Sequence, residues 1–178
     1  ESKKAEGLEI FSMILPQEFH KSFFMMERIL EKKPEVVIML GAMMKNEPPH
    51  LENFAVNIEH SLLGDNTKIP VFHRKIAQDG PAAYTTNVDV SGLLKHTSQF
   101  MSGKISYHAG THVCNSLYYK VLHKVSTEGM NTKAIFIHVP FPNSFGVVEG
   151  EPSTPSFQQL NGFVSKAIDF LVNGIKYV

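Results

Sequence analysis

The sequence predicts an α/β fold, a three-layer αβα sandwich around a mostly parallel, mixed sheet. Two runs, PEVVIMLG and KAIFIHVP, are almost continuously apolar, a pattern typical of strands that are buried on both faces. Elsewhere apolar residues recur every three or four positions, which is typical of helices that bury one face. Strands that alternate with such helices favour an α/β architecture, and we expect a single domain over residues 1–178.

Composition and charge exclude several classes of partner. The chain has 178 residues, with 17 Lys plus Arg and 17 Asp plus Glu, so its formal net charge is zero. No basic block offers a field for nucleic acid or anionic lipid. The longest apolar run, Val36 to Met44, is interrupted by Gly41 and is too short to cross a bilayer. We therefore expect a soluble protein with neither a nucleic-acid nor a membrane partner.

Residues 8–41 predict a strand, a helix and a second strand. Leu8 to Leu15 is rich in apolar residues and is stopped by Pro16, which predicts a strand. The following segment, residues 18–33, predicts a helix, with an apolar stripe formed by Phe19, Phe23, Met26 and Leu30. Residues 34–41 then predict a central strand, so that the three elements would form a right-handed βαβ unit.

The rest of the chain continues the alternation. After a predicted loop, AMMKNEPPHLEN, a short strand is expected in FAVNI, and residues 59–86 suit a long excursion with edge strands. The later predicted elements are a helix over 88–100, a strand over 104–106, a helix over 111–125, a strand over 133–140 and a helix over 156–176.

Cys114 is the only cysteine and lies in the first turn of a predicted helix. Unpaired N–H groups and the positive end of the helix dipole favour a thiolate there. The preceding pair Ala109-Gly110 allows a sharp turn, so that the same N–H groups could hold an oxyanion. The alternative is a small buried core residue, since free cysteines are often buried. A lone cysteine also fits a reducing compartment, and we expect the cytoplasm.

Two further residues are candidates for a thiol-dependent site. His138 lies at the carboxyl end of KAIFIHVP, where ligand sites gather in open α/β sheets, and a helix N-terminus that follows a neighbouring strand would open at the same edge. Glu52, placed in the loop before FAVN, could reach that edge and orient the imidazole. The simpler reading of Glu52 is a solvated loop carboxylate.

Three segments, GAMMKNEPPHLENFAVN, ISYHAGTHVCN and FIHVPF, resemble in order and spacing the signature regions of pyroglutamyl peptidase I, and GPAAYTT resembles a further stretch of that family. The resemblance implies a catalytic triad of Cys114, His138 and Glu52. It also implies removal of an N-terminal pyroglutamyl residue from peptides by thiol attack, without a cofactor. The family's αβα sandwich and frequent homotetramers lead us to expect a homo-oligomer, a tetramer or a dimer.

The sequence departs from the family pattern at several positions. Asn46 and Asn53 stand where basic residues are usual, His50 lies in the segment that presents Glu52, and His108 and His112 flank the turn before Cys114. The family's Gly-Phe-x-Pro-Phe stretch and its strand have no counterpart here, so the fold is expected to lack its first strand. These departures leave two alternatives open: a catalytically impaired relative that acts as a binding module, and a thiol hydrolase for another small amide.

The pair His108 and His112 also raises the question of a metal. Histidines four residues apart on a helix can share zinc, but Gly110 between them makes helical spacing doubtful. A structural zinc site needs four ligands, and the sequence offers no obvious remainder. We therefore expect a metal-free site.

Overall fold

The computed structural model describes residues 2–5, 8–44, 47–142 and 155–176. These form ten strands and four helices in the following order: β1 (Ser2–Ala5), β2 (Leu8–Phe11), α1 (Lys21–Leu30), β3 (Val36–Met43), β4 (His50–Glu52), β5 (Phe54–Val56), β6 (Glu59–Ser61), β7 (Val71–Arg74), β8 (Ala83–Thr85), α2 (Val90–Thr97), β9 (Lys104–Ser106), α3 (Val113–Thr127), β10 (Lys133–Pro140) and α4 (Phe157–Lys176). Among these described helices, none combines the length and the apolar character needed to cross a bilayer.

A four-stranded mixed sheet forms the centre of the fold, in the order β3-β10-β4-β9. β10 runs parallel to β3 and antiparallel to β4, while β4 and β9 are parallel. The register places Gly41 of β3 and His50 of β4 on either side of His138 in β10. The predicted mixed sheet is thus confirmed.

Helices cover both faces of this sheet, as the sequence predicts. Successive residues of β10 point to opposite faces. Ala134 and Phe136 belong to a core shared with α1 and α3, whereas Ile135 and Ile137 belong to a core shared with α2 and α4. The two cores, one on each face, make the three layers of the αβα sandwich.

The predicted βαβ unit at the N-terminus is wrong. Leu8–Phe11 pairs antiparallel with Ser2–Ala5 in a separate two-stranded sheet, so β2 does not join the central sheet. Three of the four β2 residues are exposed, which fits a segment that carries a charged residue, Glu9, between its apolar positions. In consequence β3, predicted as a central strand, lies at the edge of the described sheet, and β10 lies inside it.

The predicted loop after Gly41 is also partly wrong. β3 continues through Met43, and His50–Glu52 form the strand β4 between β10 and β9. Leu51 anchors this short strand, because its side chain is fully buried in the core against α2 and α4. Glu52 therefore lies in a sheet strand instead of a solvated loop, while Asn46 lies outside the described residues.

Candidate active site

Glu52 is a buried carboxylate at the end of β4, with a side chain that is only 1% exposed. Its Oε1 accepts a hydrogen bond from His138 Nδ1 at 2.7 Å, and its Oε2 is buried without a hydrogen-bond partner. The Tyr118 hydroxyl of α3 donates to the backbone carbonyl of Glu52 at 3.0 Å, and this hydrogen bond links β4 to α3. Since a buried charge is costly unless it is paired, the imidazole is the partner that stabilises Glu52.

His138 lies on β10 with its ring on the same face of the sheet as Glu52. Its side chain is 13% exposed, and its ring centroid lies 4.7 Å from that of Phe136. On the other side, Gly41 of β3 leaves room for both rings, because a Cβ at that position would come 2.8 Å from the Phe136 ring and 3.1 Å from His138 Cδ2. The His138 ring is therefore confined by Gly41 and its surroundings on β3 and by Glu52 on β4.

Cys114 is the second residue of α3 and is half-buried. Its side chain interacts with the His138 imidazole and raises the pKa of that ring. Because Nδ1 of the imidazole is engaged by Glu52, the nitrogen that faces the sulfur is Nε2. The structure thus brings together Cys114, His138 and Glu52, the three residues that the sequence predicts as site residues.

The first turn of α3 is held in place by Asn115, the residue after Cys114, which is fully buried. Its Oδ1 accepts from the Val56 N–H at 2.9 Å, and its Nδ2 donates to the carbonyls of Val56 and Ile58 at 2.9 and 3.0 Å. These three bonds attach the helix N-terminus to β5 and the residues after it. They therefore fix the position of the backbone at Cys114.

A positive φ of 83° at Gly110 allows the sharp turn that precedes the helix. Nothing lies within 4 Å of a Cβ built on this glycine, so it is the backbone angle that favours glycine there. His112, with extended backbone, occupies the N-cap position of α3, and its side chain makes no capping hydrogen bond. The first N–H groups of the helix have no intrahelical partner, and they surround the position of Cys114.

The electrostatics of the site centre on His138. Burial, the largest single influence, lowers its pKa, but hydrogen bonds to Cys114 and Glu52 and the charges of both residues outweigh burial and raise the pKa to about 9. At neutral pH the imidazole is therefore protonated.

The route by which Cys114 reaches His138 differs from the predicted one. β9, which precedes Cys114, is separated from β10 by β4 and runs antiparallel to β10. The carboxyl ends of the two strands therefore do not share an edge. The residues meet because 107–112 carry the chain from β9 to α3, which lies over the face of the sheet that carries Glu52 and His138.

The two histidines near the turn have separate partners. His108 Nδ1 accepts from the Gly110 N–H at 2.9 Å, whereas His112 Nε2 lies 3.0 Å from the carbonyl of Gly64 and its ring packs edge-on against Phe19. Within the described ranges, no group of three or more His, Cys, Asp or Glu side chains is arranged to hold a metal ion.

A sequence profile of the family described as pyroglutamyl peptidase matches residues 1–172 of the chain. The chain belongs to the pyroglutamyl peptidase family.

Relatives and solved structures agree with this membership. A pyrrolidone-carboxylate peptidase from Bacillus licheniformis is 33% identical over 153 residues, which cover 85% of this chain and 71% of that protein. The structure of the pyrrolidone carboxyl peptidase from Thermococcus litoralis matches with a TM-score of 0.83 and 30% identity, over 98% of this chain and 84% of that one. Pyroglutamyl peptidase I from Bacillus amyloliquefaciens matches with a TM-score of 0.79 and 26% identity, over 86% of this chain and 73% of that one.

Sequence reasoning missed the residues that support this family member's candidate site. Gly41 appears in the sequence only as a break in an apolar run, Asn115 as a polar residue after the cysteine, and Tyr118 as one more helix residue. The burial of Asn115 has no signal in the sequence, because the helix around it carries several other polar residues. The role of Gly41 depends on the pairing of two strands that are distant in sequence, and no local pattern reports it.

Proposed function

We propose that this protein is a cysteine peptidase that removes an N-terminal pyroglutamyl residue from peptides, with Cys114 as nucleophile, His138 as general acid and base, and Glu52 as the group that orients the imidazole. The observation that carries the proposal is that His138 hydrogen-bonds to the buried Glu52 carboxylate and interacts with the Cys114 side chain, and that both residues raise the pKa of the imidazole. Membership of the pyroglutamyl peptidase family supports the substrate class.

In the first half of the reaction, the Cys114 thiolate attacks the carbonyl carbon that joins pyroglutamate to the next residue. The electrons of the carbonyl move to its oxygen, and the N–H groups around Val113 and Cys114 at the start of α3 hold that oxyanion. When the tetrahedral intermediate collapses, the C–N bond breaks and the His138 imidazolium donates its proton to the leaving amine. A pyroglutamyl thioester on Cys114 and a shortened peptide result.

In the second half, the now neutral His138 takes a proton from water as the water oxygen attacks the thioester carbonyl. The C–S bond breaks, pyroglutamate leaves as the free acid, and the thiolate–imidazolium pair is restored. Throughout, the 2.7 Å contact with Glu52 fixes the ring so that Nε2 faces the sulfur and the substrate. The raised pKa of His138, about 9, keeps a proton available for the leaving amine.

The experiment is a fluorogenic assay with the 7-amino-4-methylcoumarin amide of pyroglutamate. We expect turnover by the wild-type protein and a loss of at least about a thousandfold in Cys114→Ala, since the nucleophile is removed. The matched substrate control is the corresponding proline amide, which has the same ring without the lactam carbonyl. Undiminished turnover in Cys114→Ala overturns the mechanism, and equal turnover of the proline amide overturns the substrate class.

A further inference from the structure

A second imidazole lies beside the proposed catalytic carboxylate. His50 is on β4, two residues before Glu52 and directly across from His138 in the antiparallel pair β4–β10. His50 Nδ1 lies 4.0 Å from Glu52 Oε1, the same oxygen that accepts from His138 at 2.7 Å. One carboxylate oxygen thus faces two imidazoles on one face of the sheet.

The other nitrogen of His50 has a partner of its own. Its Nε2 lies 3.0 Å from Glu47 Oε2, and Glu47 also forms an ion pair with Lys104 of β9. Since an ionised carboxylate only accepts, the proton of neutral His50 is on Nε2 and the Nδ1 that faces Glu52 carries a lone pair. Neutral His50 therefore offers Glu52 no hydrogen bond, and the carboxylate serves His138 alone.

We propose that His50 is an acid-sensitive positioning residue: once protonated on Nδ1, it draws the Glu52 carboxylate away from His138 and so weakens the catalytic arrangement. The inference rests on the proposed function and extends it. Protonation turns Nδ1 from a lone pair into a charged donor next to a buried carboxylate. Glu52 can respond, because its second oxygen, Oε2, is buried without a hydrogen-bond partner.

The charged groups around His50 determine when this happens. They come from its own strand and the segment before it (Glu52 and Glu47), from β9 (Lys104) and from β10 (His138). Burial, the largest influence, and the positive charge of Lys104 lower the pKa of His50, while Glu47 and Glu52 raise it to a smaller extent. The net effect is a lowered pKa, so His50 takes up its second proton at a lower pH than an ordinary histidine does.

The direct test follows the histidine rings by NMR, on protein with 13C-labelled histidine, between pH 4.5 and 10. In the wild type we expect the His138 Cε1–H signal to show a second inflection below pH 6.5, at the pH at which the His50 signal itself titrates. In His50→Gln, which keeps a donor for Glu47 but does not titrate, that inflection should disappear. A His138 signal that does not respond to the titration of His50, or that keeps the inflection in His50→Gln, overturns the inference.

A surface variant provides the second arm and does not put folding at risk. Lys104 is partly exposed, and its charge lowers the pKa of His50, so Lys104→Gln should move the His138 inflection to higher pH. An inflection that stays in place or moves down contradicts the proposal. Both arms read ring signals and need no turnover, so a failure of the proposed function would be seen separately in the amide assay.

The kinetic consequence is measured on the same proteins. The ratio of kcat/KM at pH 5.5 to that at pH 7.5, with the pyroglutamyl coumarin amide, should be at least about threefold higher in His50→Gln than in the wild type. Identical ratios, in proteins whose His138 signals do differ, would show that the movement of Glu52 has no effect on the reaction and would overturn the catalytic part of the inference.

Discussion

Gly41 lies directly beside His138 in the parallel pair β3–β10, and it leaves the space that the imidazole and the Phe136 ring occupy. A methyl group there would stand 2.8 Å from the Phe136 ring and 3.1 Å from His138 Cδ2, both shorter than van der Waals contact. The His138 imidazole is therefore positioned by the absence of a side chain at Gly41 as well as by its hydrogen bond to Glu52.

Gly41→Ala should impair catalysis more than stability. The displaced ring would no longer bridge Cys114 and Glu52, so we expect kcat/KM for the pyroglutamyl amide to fall by about tenfold or more. Overpacking of this kind destabilises by about 1–3 kcal/mol. The measurement combines steady-state kinetics with thermal unfolding.

Gly129→Ala is the control for that variant. Gly129 has a φ of 61° and nothing within 4 Å of a built Cβ, so alanine there strains only the backbone, by roughly 1 kcal/mol. It should lower the melting temperature and leave kcat/KM unchanged. If the two variants have equal kinetics, Gly41 does not position the imidazole.

The protonation of His138 should depend on its two partners. Burial lowers the pKa of His138, and the hydrogen bonds and charges of Cys114 and Glu52 raise it to about 9. Its ring signals should accordingly titrate near pH 9 in the wild type and at lower pH in Cys114→Ala and Glu52→Gln, each of which removes one favourable charge. A titration near pH 6.5 in all three proteins would contradict this account.

The same pKa sets the alkaline limit of activity. Below about pH 9 the imidazolium is present and can protonate the leaving amine, whereas above that pH the ring is neutral and the proton is lost. We therefore expect kcat/KM to fall as the pH rises through about 9. A pH–rate profile that is flat from pH 8 to pH 10 would show that His138 is not the acid.

Asn115 should link stability to catalysis through the first turn of α3. Asn115→Ala leaves the N–H and carbonyl of Val56 and the carbonyl of Ile58 without their partner, which destabilises the protein by about 2–3 kcal/mol. Because the released turn carries Cys114, we also expect kcat/KM to fall by about tenfold. Urea unfolding and steady-state kinetics measure the two effects.

Asn57→Ala is the matched control for Asn115→Ala. The Asn57 amide makes four hydrogen bonds, with the N–H groups of Ile76 and Ala77 and the carbonyls of Ala77 and Gly80, in the excursion between β6 and β8. Asn57→Ala should lower the free energy of unfolding about as much as Asn115→Ala does, but it should lower kcat/KM less. Equal kinetic losses would mean that Asn115 acts through stability alone.

Glu59 should make stability depend on pH. Its side chain is 2% exposed, and although burial raises its pKa, hydrogen bonds from Ser116, Lys120 and Arg74 and the charge of Lys120 lower the pKa below 4.5. A depressed pKa stabilises the fold at pH values above the unfolded pKa, and that contribution is lost as the pH falls through the folded value.

Glu59→Gln tests this contribution. The variant leaves Lys120, which is 16% exposed, beside an uncharged amide, and we expect a loss of about 3 kcal/mol in the free energy of unfolding at pH 7. The difference between wild type and variant should shrink as the pH falls below 4.5. A difference that stays constant from pH 7 to pH 3 would exclude an ionised Glu59 as its cause.

Much of the fold follows from local pattern. The strand over 133–140 and the four helices are predicted, because continuous apolar runs and repeats at three and four residues report burial directly. The apolar run 8–15 was misread, since a short apolar segment does not reveal whether it joins the main sheet or, as here, a separate hairpin.

The residues of the candidate site could be proposed from the sequence, but their contacts with one another could not. Cys114, His138 and Glu52 are candidates from their positions, at a helix N-terminus, a strand end and a nearby loop, and the resemblance to the family favours a role for Glu52 over a solvated carboxylate. The short strand β4, which buries Glu52 between β10 and β9, has no periodicity of its own over three residues. Its place comes from pairing with strands that are distant in sequence, and the carboxylate's contact with His138 follows from that pairing.

The predicted homo-oligomer and the predicted cytoplasmic location stay predictions. The first is tested by sedimentation of the purified protein, where a single species with the mass of a dimer or tetramer would support it and a monomer would contradict it. The second is tested by fractionation of the source cells with an antibody against the chain.

A covalent bond between the Cys114 sulfur and the substrate can be detected by mass spectrometry after acid quench of a brief reaction with a pyroglutamyl ester. We expect one pyroglutamyl acyl group per chain, on the peptide that contains Cys114, and none in Cys114→Ala. Release of pyroglutamate without such an adduct in the wild type, together with equal release by Cys114→Ala, would contradict this expectation.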